Sequence, residues 1–376
     1  MPTSAKKRIL VASEPGIAGV KRHIIDYLGQ INLESFDIIF VYSLVRSDAV
    51  YVGQLKELEQ RGICLRQLRM TGNISPWADW CALLGAIRLV IRHRPDIIHA
   101  HSSKAGFLFR MAAWLTRSRA RIIYTPHAMS CYFSSFFQWI EQVLASITDL
   151  ILAVSPSERQ DILDWKITSP DRVRAVAMGV DMKLSPVRPG RQYLVAACGR
   201  ISYQKNTLLF VRAFNLVAAQ RPDVIFRWIG SYSDDRESQA VKEALAQSPD
   251  CDRFEITGWV DDPDTLLAEA AVFCILSRYE AFGYVTADAM LLKIPVVGLD
   301  VSGIRDLVQH GKTGLLVEAD PRMIAEAILY MLDHPEIGEK WGETGRNVIQ
   351  EQHSVSQMVL EIEAIYQELL SSPKLS

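Results

Sequence analysis

Two doubly wound α/β domains are what this sequence predicts, and three observations carry the prediction. The chain has 376 residues, more than one ordinary core accommodates. Short β-branched runs alternate with amphipathic helical stretches through both halves, the pattern of a parallel sheet with helices on both faces. Between the halves lies KLSPVRPGR (183–191), with two prolines, a glycine and little apolar content, which reads as a linker. The expected domains are therefore 1–185 and 186–352, with a terminal helix in 353–376.

In the first half the strand-like runs are 8–13, 36–42, 63–68, 96–101, 121–126 and 150–155, with helical patterns at 20–31, 77–93, 105–114 and 136–146. In the second half strands are expected at 193–199, 224–230, 254–257, 272–276, 295–299 and 314–317. Helices are expected at 206–219, 238–246, 266–270 and 285–291, and the chain ends in helical stretches at 321–332, 337–350 and 355–370. No tandem repeat at solenoid spacing is visible.

Composition narrows the class. Apolar residues make up 49% and charged residues 22%, which argues against extensive disorder. No run approaches the roughly 18–20 apolar residues of a membrane span. The opening MPTSAKKRILVAS runs straight into a strand, so no export signal is expected. Six scattered cysteines without a CxxC pair read as reduced thiols in the cytoplasm. Charge is uneven: residues 1–190 hold 24 Lys+Arg against 16 Asp+Glu, or +8, and the rest hold 17 against 27, or −10. A basic first half suits an anionic surface or ligand; drifting surface charge is the bland alternative.

The most informative stretch is 277–317. Glu280 follows a buried strand, a helix opens near Gly283, and Asp288 stands in that helix, so two carboxylates sit at the carboxyl edge of a parallel sheet. The helix N-terminus favours phosphate and the carboxylates accept bonds from sugar or ribose hydroxyls. CGRISYQKN adds Arg200 and Lys205 around another strand-to-helix turn, suited to a diphosphate. Gly16 and Gly19 follow the first strand, where backbone can approach an anion, though a tight turn explains them equally well. The spacing is not GxGxxG, so a dinucleotide is disfavoured. His99 and His101 share a strand face as two metal ligands would, but no third ligand stands nearby in sequence, so no metal site is expected. His127 lies just past a strand end, placed for substrate contact or proton transfer, or for a structural hydrogen bond. The HGKTG at 310–314 is not a phosphate loop, because the position needing glycine is Asp306. Aromatics at 131–139, with Trp77, Trp80 and Trp114, fit a membrane surface. Phenylalanines at 133, 136 and 137 have helical spacing, so burial is the favoured reading.

Together, GIAGVKRH, HAHSSKAG, TPH, AVSPSE, MGVD, GRISYQKN, TGWVDD, EAFGYVTADAM, PVVG and HGKTGLLV resemble the retaining glycosyltransferases of family 4 over nearly the whole chain. HSSKAGFLFRMAA and IIYTPHA look most like bacterial enzymes of O-antigen, capsule and exopolysaccharide synthesis. The resemblance implies the GT-B fold: two Rossmann-like domains facing across a cleft, the first binding acceptor and the second a nucleotide-sugar donor, with the terminal helix crossing back to the first. By it, Arg200 and Lys205 hold the donor diphosphate, Glu280 contacts the donor sugar, Asp288 the ribose, and His127 the sugar and acceptor. Phe282, Gly283 and Tyr284 belong to the donor loop, and Gly16 and Gly19 lie near the phosphates. Asp288 is one methylene shorter than the family's glutamate, and Met178 replaces the usual asparagine before Gly-Val-Asp. The implied reaction moves a hexose, such as galactose or an N-acetylhexosamine, from a UDP-sugar to a polyprenyl-diphosphate-linked saccharide. It occurs with retention, without cofactor or metal, and with peripheral contact at the inner face of the cytoplasmic membrane; nucleic acid is not a partner. The alternatives are a nucleotide-sugar 2-epimerase and a non-catalytic glycan-binding subunit.

Overall fold

The computed structural model describes residues 6–132, 134–182 and 193–372. The expected linker at 183–191 lies outside them. The chain divides into two compact units, Met1–Gly179 with Val355–Ser376, and Val180–Ser354.

The first unit runs β1 (Lys7–Ser13), α1 (Ala18–Gln30), β2 (Phe36–Tyr42), α2 (Ala49–Gln60), β3 (Cys64–Gln67), α3 (Pro76–His93), β4 (Ile97–His101), α4 (Ser103–Leu115), β5 (Arg121–Thr125), α5 (Ser135–Ala145), β6 (Leu150–Ala153), α6 (Pro156–Asp164) and β7 (Val173–Ala175). Its parallel sheet is ordered β3-β2-β1-β4-β5-β6-β7. Central strands are continuous apolar runs because both faces are covered. Along β1 the side chains alternate between two cores: Ile9 and Val11 pack with Ile24, Tyr27 and Phe40, while Leu10 and Ala12 pack with Ala82, Ala86 and Phe109.

The second unit runs β8 (Leu194–Cys198), α7 (Thr207–Ala218), β9 (Ile225–Ile229), α8 (Arg236–Ala246), β10 (Phe254–Ile256), α9 (Pro263–Leu267), β11 (Val272–Ile275), α10 (Tyr284–Leu291), β12 (Val296–Leu299), α11 (Ile304–Leu307), β13 (Gly314–Val317), α12 (Pro321–Asp333) and α13 (Pro335–Gln352). The parallel sheet order is β10-β9-β8-β11-β12-β13. Phe210, Phe214, Phe226 and Phe254 form edge and tilted aromatic pairs under it, and the HGKTG stretch is the turn that feeds β13, with Gly311 N–H bonded to the Gly314 carbonyl. The last helix, α14 (Val355–Ser371), belongs to the first unit, where Met358, Val359, Ile362 and Tyr366 join the core beneath β1 and α1.

In each sheet the order reverses between the first and fourth strands, β1/β4 in one unit and β8/β11 in the other. The crevice beyond the carboxyl ends at such a reversal is where open α/β sheets take ligands.

Three expectations change. The helix expected at 266–270 is α9, which starts earlier because Asp262 caps Thr265 N–H and Pro263 fills its first turn. Gly19 lies inside the first turn of α1, not in the loop before it. Helical spacing does not bury the aromatics of α5: Phe136 and Trp139 are 60% and 59% exposed, because its core face is Glu141, Leu144 and Ala145. Phe133 lies outside the described residues.

Candidate active site

In the second unit, the loops after β8 and β11 carry the predicted donor residues. Arg278 N–H bonds the Gln204 carbonyl at 2.8 Å and Gln204 Nε2 reaches the Tyr279 carbonyl at 3.3 Å, tying the two loops together. Lys205 Nζ then meets Glu280 Oε1 at 2.7 Å, and buried Ser277 donates to the same oxygen at 2.8 Å. Gly283, at φ +89°, starts α10. Gly303, at φ +77°, lies so close beneath this loop that a Cβ there would meet Ala281 C at 2.8 Å and Phe282 N at 2.9 Å. Phe282 and Tyr284 are buried with ring centroids 5.2 Å apart. Asp288 is half-buried. The Cys198 thiol ending β8 is pushed up to about 12, first by burial, and it feels both Lys205 and Asp288. Those two charges therefore gather around one strand end. Arg200 is exposed beside them in sequence, with its side chain in solvent. Ser277 and Gln204 are contributions that motif reading passed over.

In the first unit, His101 ends β4 opposite Ser13 of β1, at the strand-order reversal. His99 and His101 do share a face, with ring centroids 4.0 Å apart. His99 is spoken for: its Nδ1 meets Tyr366 OH at 2.6 Å and its Nε2 meets Thr125 Oγ1 at 2.8 Å. Tyr366 OH in turn lies 2.6 Å from Tyr27 OH. His101 Nδ1 instead faces His127 Nε2 at 3.1 Å. The missing third histidine is His23, from α1, whose ring lies 4.8 Å from His127 and 5.4 Å from His101 between centroids. Sequence spacing hid it: no third ligand stands near His99 and His101 in sequence, but one ring nitrogen from each of His23, His101 and His127 lies within 4.8 Å of the others.

His127 is held by more than packing. It and Ala128 adopt left-handed φ values of 55° and 83°, a conformation that costs of order 1–3 kcal/mol per residue unless the surroundings impose it. Glu158 imposes it, its carboxylate accepting Ala128 N–H and Val154 N–H, each at 2.8 Å. Ser155 Oγ caps α6 by accepting Glu158 N–H. Gly16 packs into the β2–α2 connection: Gly16 N–H bonds the Arg46 carbonyl at 2.8 Å, and a Cβ there would meet Ser47 Cβ at 2.9 Å. Close packing is thus what position 16 requires in this structure.

Burial pushes the imidazoles of His23 and His99 down to about 3 and those of His101 and His127 well below the usual range. The folded chain thus holds these rings neutral while the unfolded chain protonates them near 6.5. Between about pH 3 and 6.5 the unfolded state binds more protons, so stability is full above this window and falls on acidification through it. At pH 5, His23 and His99 are each expected to cost about 2 kcal/mol. Urea unfolding of the first unit at pH 7.5 and pH 5 measures it; an unchanged free energy would contradict the neutral buried rings.

Both sites lie where doubly wound folds bind ligands, and comparison with known proteins gives them a family. Residues 192–334 match Glycosyl transferases group 1 and residues 19–184 match Glycosyltransferase Family 4. The capsular polysaccharide biosynthesis glycosyltransferase CapM of Staphylococcus aureus is 24% identical over 323 residues, 80% of this chain and 84% of that protein. The UDP-Gal:alpha-D-GlcNAc-diphosphoundecaprenol alpha-1,3-galactosyltransferase of Escherichia coli is 23% identical over 270 residues, 65% of this chain and 68% of that one. Among solved structures, Anabaena Alr3699/HepE in complex with UDP and glucose has a TM-score of 0.77 at 19% identity, covering 96% of this chain and 99% of that one. The two family matches run through both units, and the chain belongs to the family 4, group 1 glycosyltransferases, with the GT-B fold.

Proposed function

We propose that this glycosyltransferase moves a hexose, galactose or an N-acetylhexosamine, from a UDP-sugar to a polyprenyl-diphosphate-linked saccharide in bacterial surface polysaccharide synthesis. The observation that carries the reading is the Lys205–Glu280–Ser277 cluster at the β8/β11 reversal, beside the N-terminus of α10. The second unit is the donor domain. Lys205 and Arg200 neutralise the charge that grows on the departing diphosphate, in place of a metal. Glu280 accepts from sugar hydroxyls and Asp288 from the ribose, while Phe282, Gly283 and Tyr284 shape the donor loop. The first unit takes the acceptor, with His127 as its candidate for contact with the acceptor. No enzyme carboxylate is assigned as nucleophile; retention follows from attack on the same face as the departing diphosphate, whose oxygen takes the acceptor proton. The UDP donor is supported by the HepE complex, and the lipid-linked acceptor by the name of the Escherichia coli relative.

Contact with the inner membrane face is supported by the outer faces of three neighbouring helices. Trp77 and Trp80 of α3, Trp114 of α4, and Phe136 and Trp139 of α5 are more than half exposed, where a soluble surface ordinarily places charge. No acidic residue occurs between Asp96 and Glu141, and Arg117 and Arg119, just past the end of α4, are exposed. Exposed aromatic side chains beside exposed cations suit an anionic lipid surface. No helix among the described residues is long and apolar enough to cross a membrane.

The test incubates purified protein with UDP-galactose, UDP-glucose or UDP-N-acetylglucosamine, with and without vesicles carrying a polyprenyl-diphosphate saccharide. Transfer is expected only with acceptor, and the new linkage keeps the donor's anomeric configuration. Conversion of a UDP-sugar without acceptor would replace this reading with the epimerase. In the same assay, Trp77→Ser/Trp114→Ser/Trp139→Ser is expected to lose sedimentation with phosphatidylglycerol vesicles while keeping its melting temperature. Undiminished sedimentation would remove that surface from the reading.

A further inference from the structure

We propose that His23, His101 and His127 form a binding site for a transition-metal ion of the zinc and cobalt class, and that occupancy of this site withdraws His127 from transfer. The donors come from three separate elements, α1, the end of β4 and the segment after β5, and converge on one point at the carboxyl edge of the sheet.

Three observations support the site. A tetrahedral ion bound at the usual zinc–nitrogen length of about 2.0–2.1 Å holds its ligand nitrogens roughly 3.3 Å apart. His101 Nδ1 and His127 Nε2 already stand 3.1 Å apart. Both ring nitrogens of His23 are buried without a hydrogen-bond partner. Such orphaned groups are rare in folded proteins and call for an occupant. His23 has no side-chain hydrogen bond to surrender when it turns toward an ion. Finally, the set is imidazole alone. Nitrogen donors without a carboxylate select zinc, cobalt, nickel or copper over magnesium or calcium, which need oxygen.

Three protein ligands leave a fourth position open, and β1/β4 is where the sheet takes its ligands. The ion is not a participant in transfer. It occupies the nitrogen that His127 would turn toward the substrate, which makes it a reversible block. That second half rests on the role given to His127 under the proposed function; the binding site itself does not.

The full chain without a histidine tag is titrated with Co²⁺ and followed by visible absorption. One equivalent is expected to give the intense bands of tetrahedral cobalt, displaced by Zn²⁺ and untouched by Mg²⁺. Each of His23→Gln and His101→Gln, melting as the parent does, is expected to weaken binding by about 100-fold or more, since ligand loss exceeds the usual cost of losing an outer-shell partner. Failure of the parent chain to bind Co²⁺, or binding unchanged in both variants, overturns the site. Zn²⁺ is expected to inhibit sugar transfer at the concentration at which it binds. Binding without inhibition overturns the hold on His127. Absence of transfer with every donor in metal-free buffer instead counts against the function, while the cobalt spectrum still decides the site.

Discussion

Glu280→Gln and Lys205→Ala are each expected to lower transfer by about 10²–10³-fold, the usual cost of removing one charge aimed at a developing anion. The physical contest is between this and a purely structural ion pair. The side chains of Lys205 and Glu280 are 18% and 11% exposed, respectively, between a surface pair and a buried one. A surface pair contributes about 0–1 kcal/mol, and a deeply buried pair costs several kcal/mol when broken. If the pair only holds the two loops together, both variants lose stability and activity falls with the folded fraction. If it serves the donor, the variants melt within a few degrees of the parent and lose rate. The two should also differ from each other. Lys205→Ala weakens UDP binding itself, whereas Glu280→Gln retains UDP affinity and loses turnover. Because the side chains share one hydrogen bond, the double variant is expected to be little worse than the worse single one. Activity within threefold of the parent in either folded variant would remove the pair from the site.

Glu280, Gly283 and Asp288 were legible because one strand–loop–helix segment brings all three to a sheet edge. A parallel strand covered on both faces is an uninterrupted apolar run, which explains why nearly every strand was expected within two residues of its place. Helices lacking that contrast were not legible. In α2 only Tyr51, Leu55 and Leu58 are buried, and exposed Val50 and Val52 blur the stripe. In α6 the buried pair is Glu158 and Ile162, so its inner face does not read as apolar.

The histidine cluster failed for another reason. His23 occupies the buried stripe of α1 with Ile24, Tyr27 and Leu28, so a polar residue stood on an apolar face. That signal was present, but its partners lie more than 70 residues away and only the sheet order unites them. Tyr366 is more distant still from His99, and nothing in the local pattern of α14 announces a buried phenol. Motif reading finds ligands that share a loop; it misses ligands that share only a topological position.

Glu141→Ala is expected to destabilise the first unit by about 3–5 kcal/mol, the range for a buried charge left without its partner. Arg110 is fully buried on α4, with Nη2 2.8 Å from Glu141 Oε2 and its guanidinium 3.9 Å from the Tyr124 ring centre. Tyr124 OH donates to the other carboxylate oxygen at 3.3 Å. Removing the carboxylate takes the ion-pair partner from a buried guanidinium whose Nη1 already lacks a hydrogen-bond partner. The first-unit transition should fall by about 10 °C or more, followed separately from the second unit, since two domains need not melt as one. Arg110→Met/Glu141→Leu is expected to restore most of the loss, because an apolar pair of similar volume avoids desolvating both charges. A loss below about 1 kcal/mol in Glu141→Ala would mean that water reaches the guanidinium. The pair also fastens α4 to α5, whose outer faces carry Trp114, Phe136 and Trp139. Vesicle binding should therefore weaken in Glu141→Ala and return in the double variant, although no exposed residue has changed. A surface aromatic array holds a lipid interface only as firmly as the helices beneath it are held to one another.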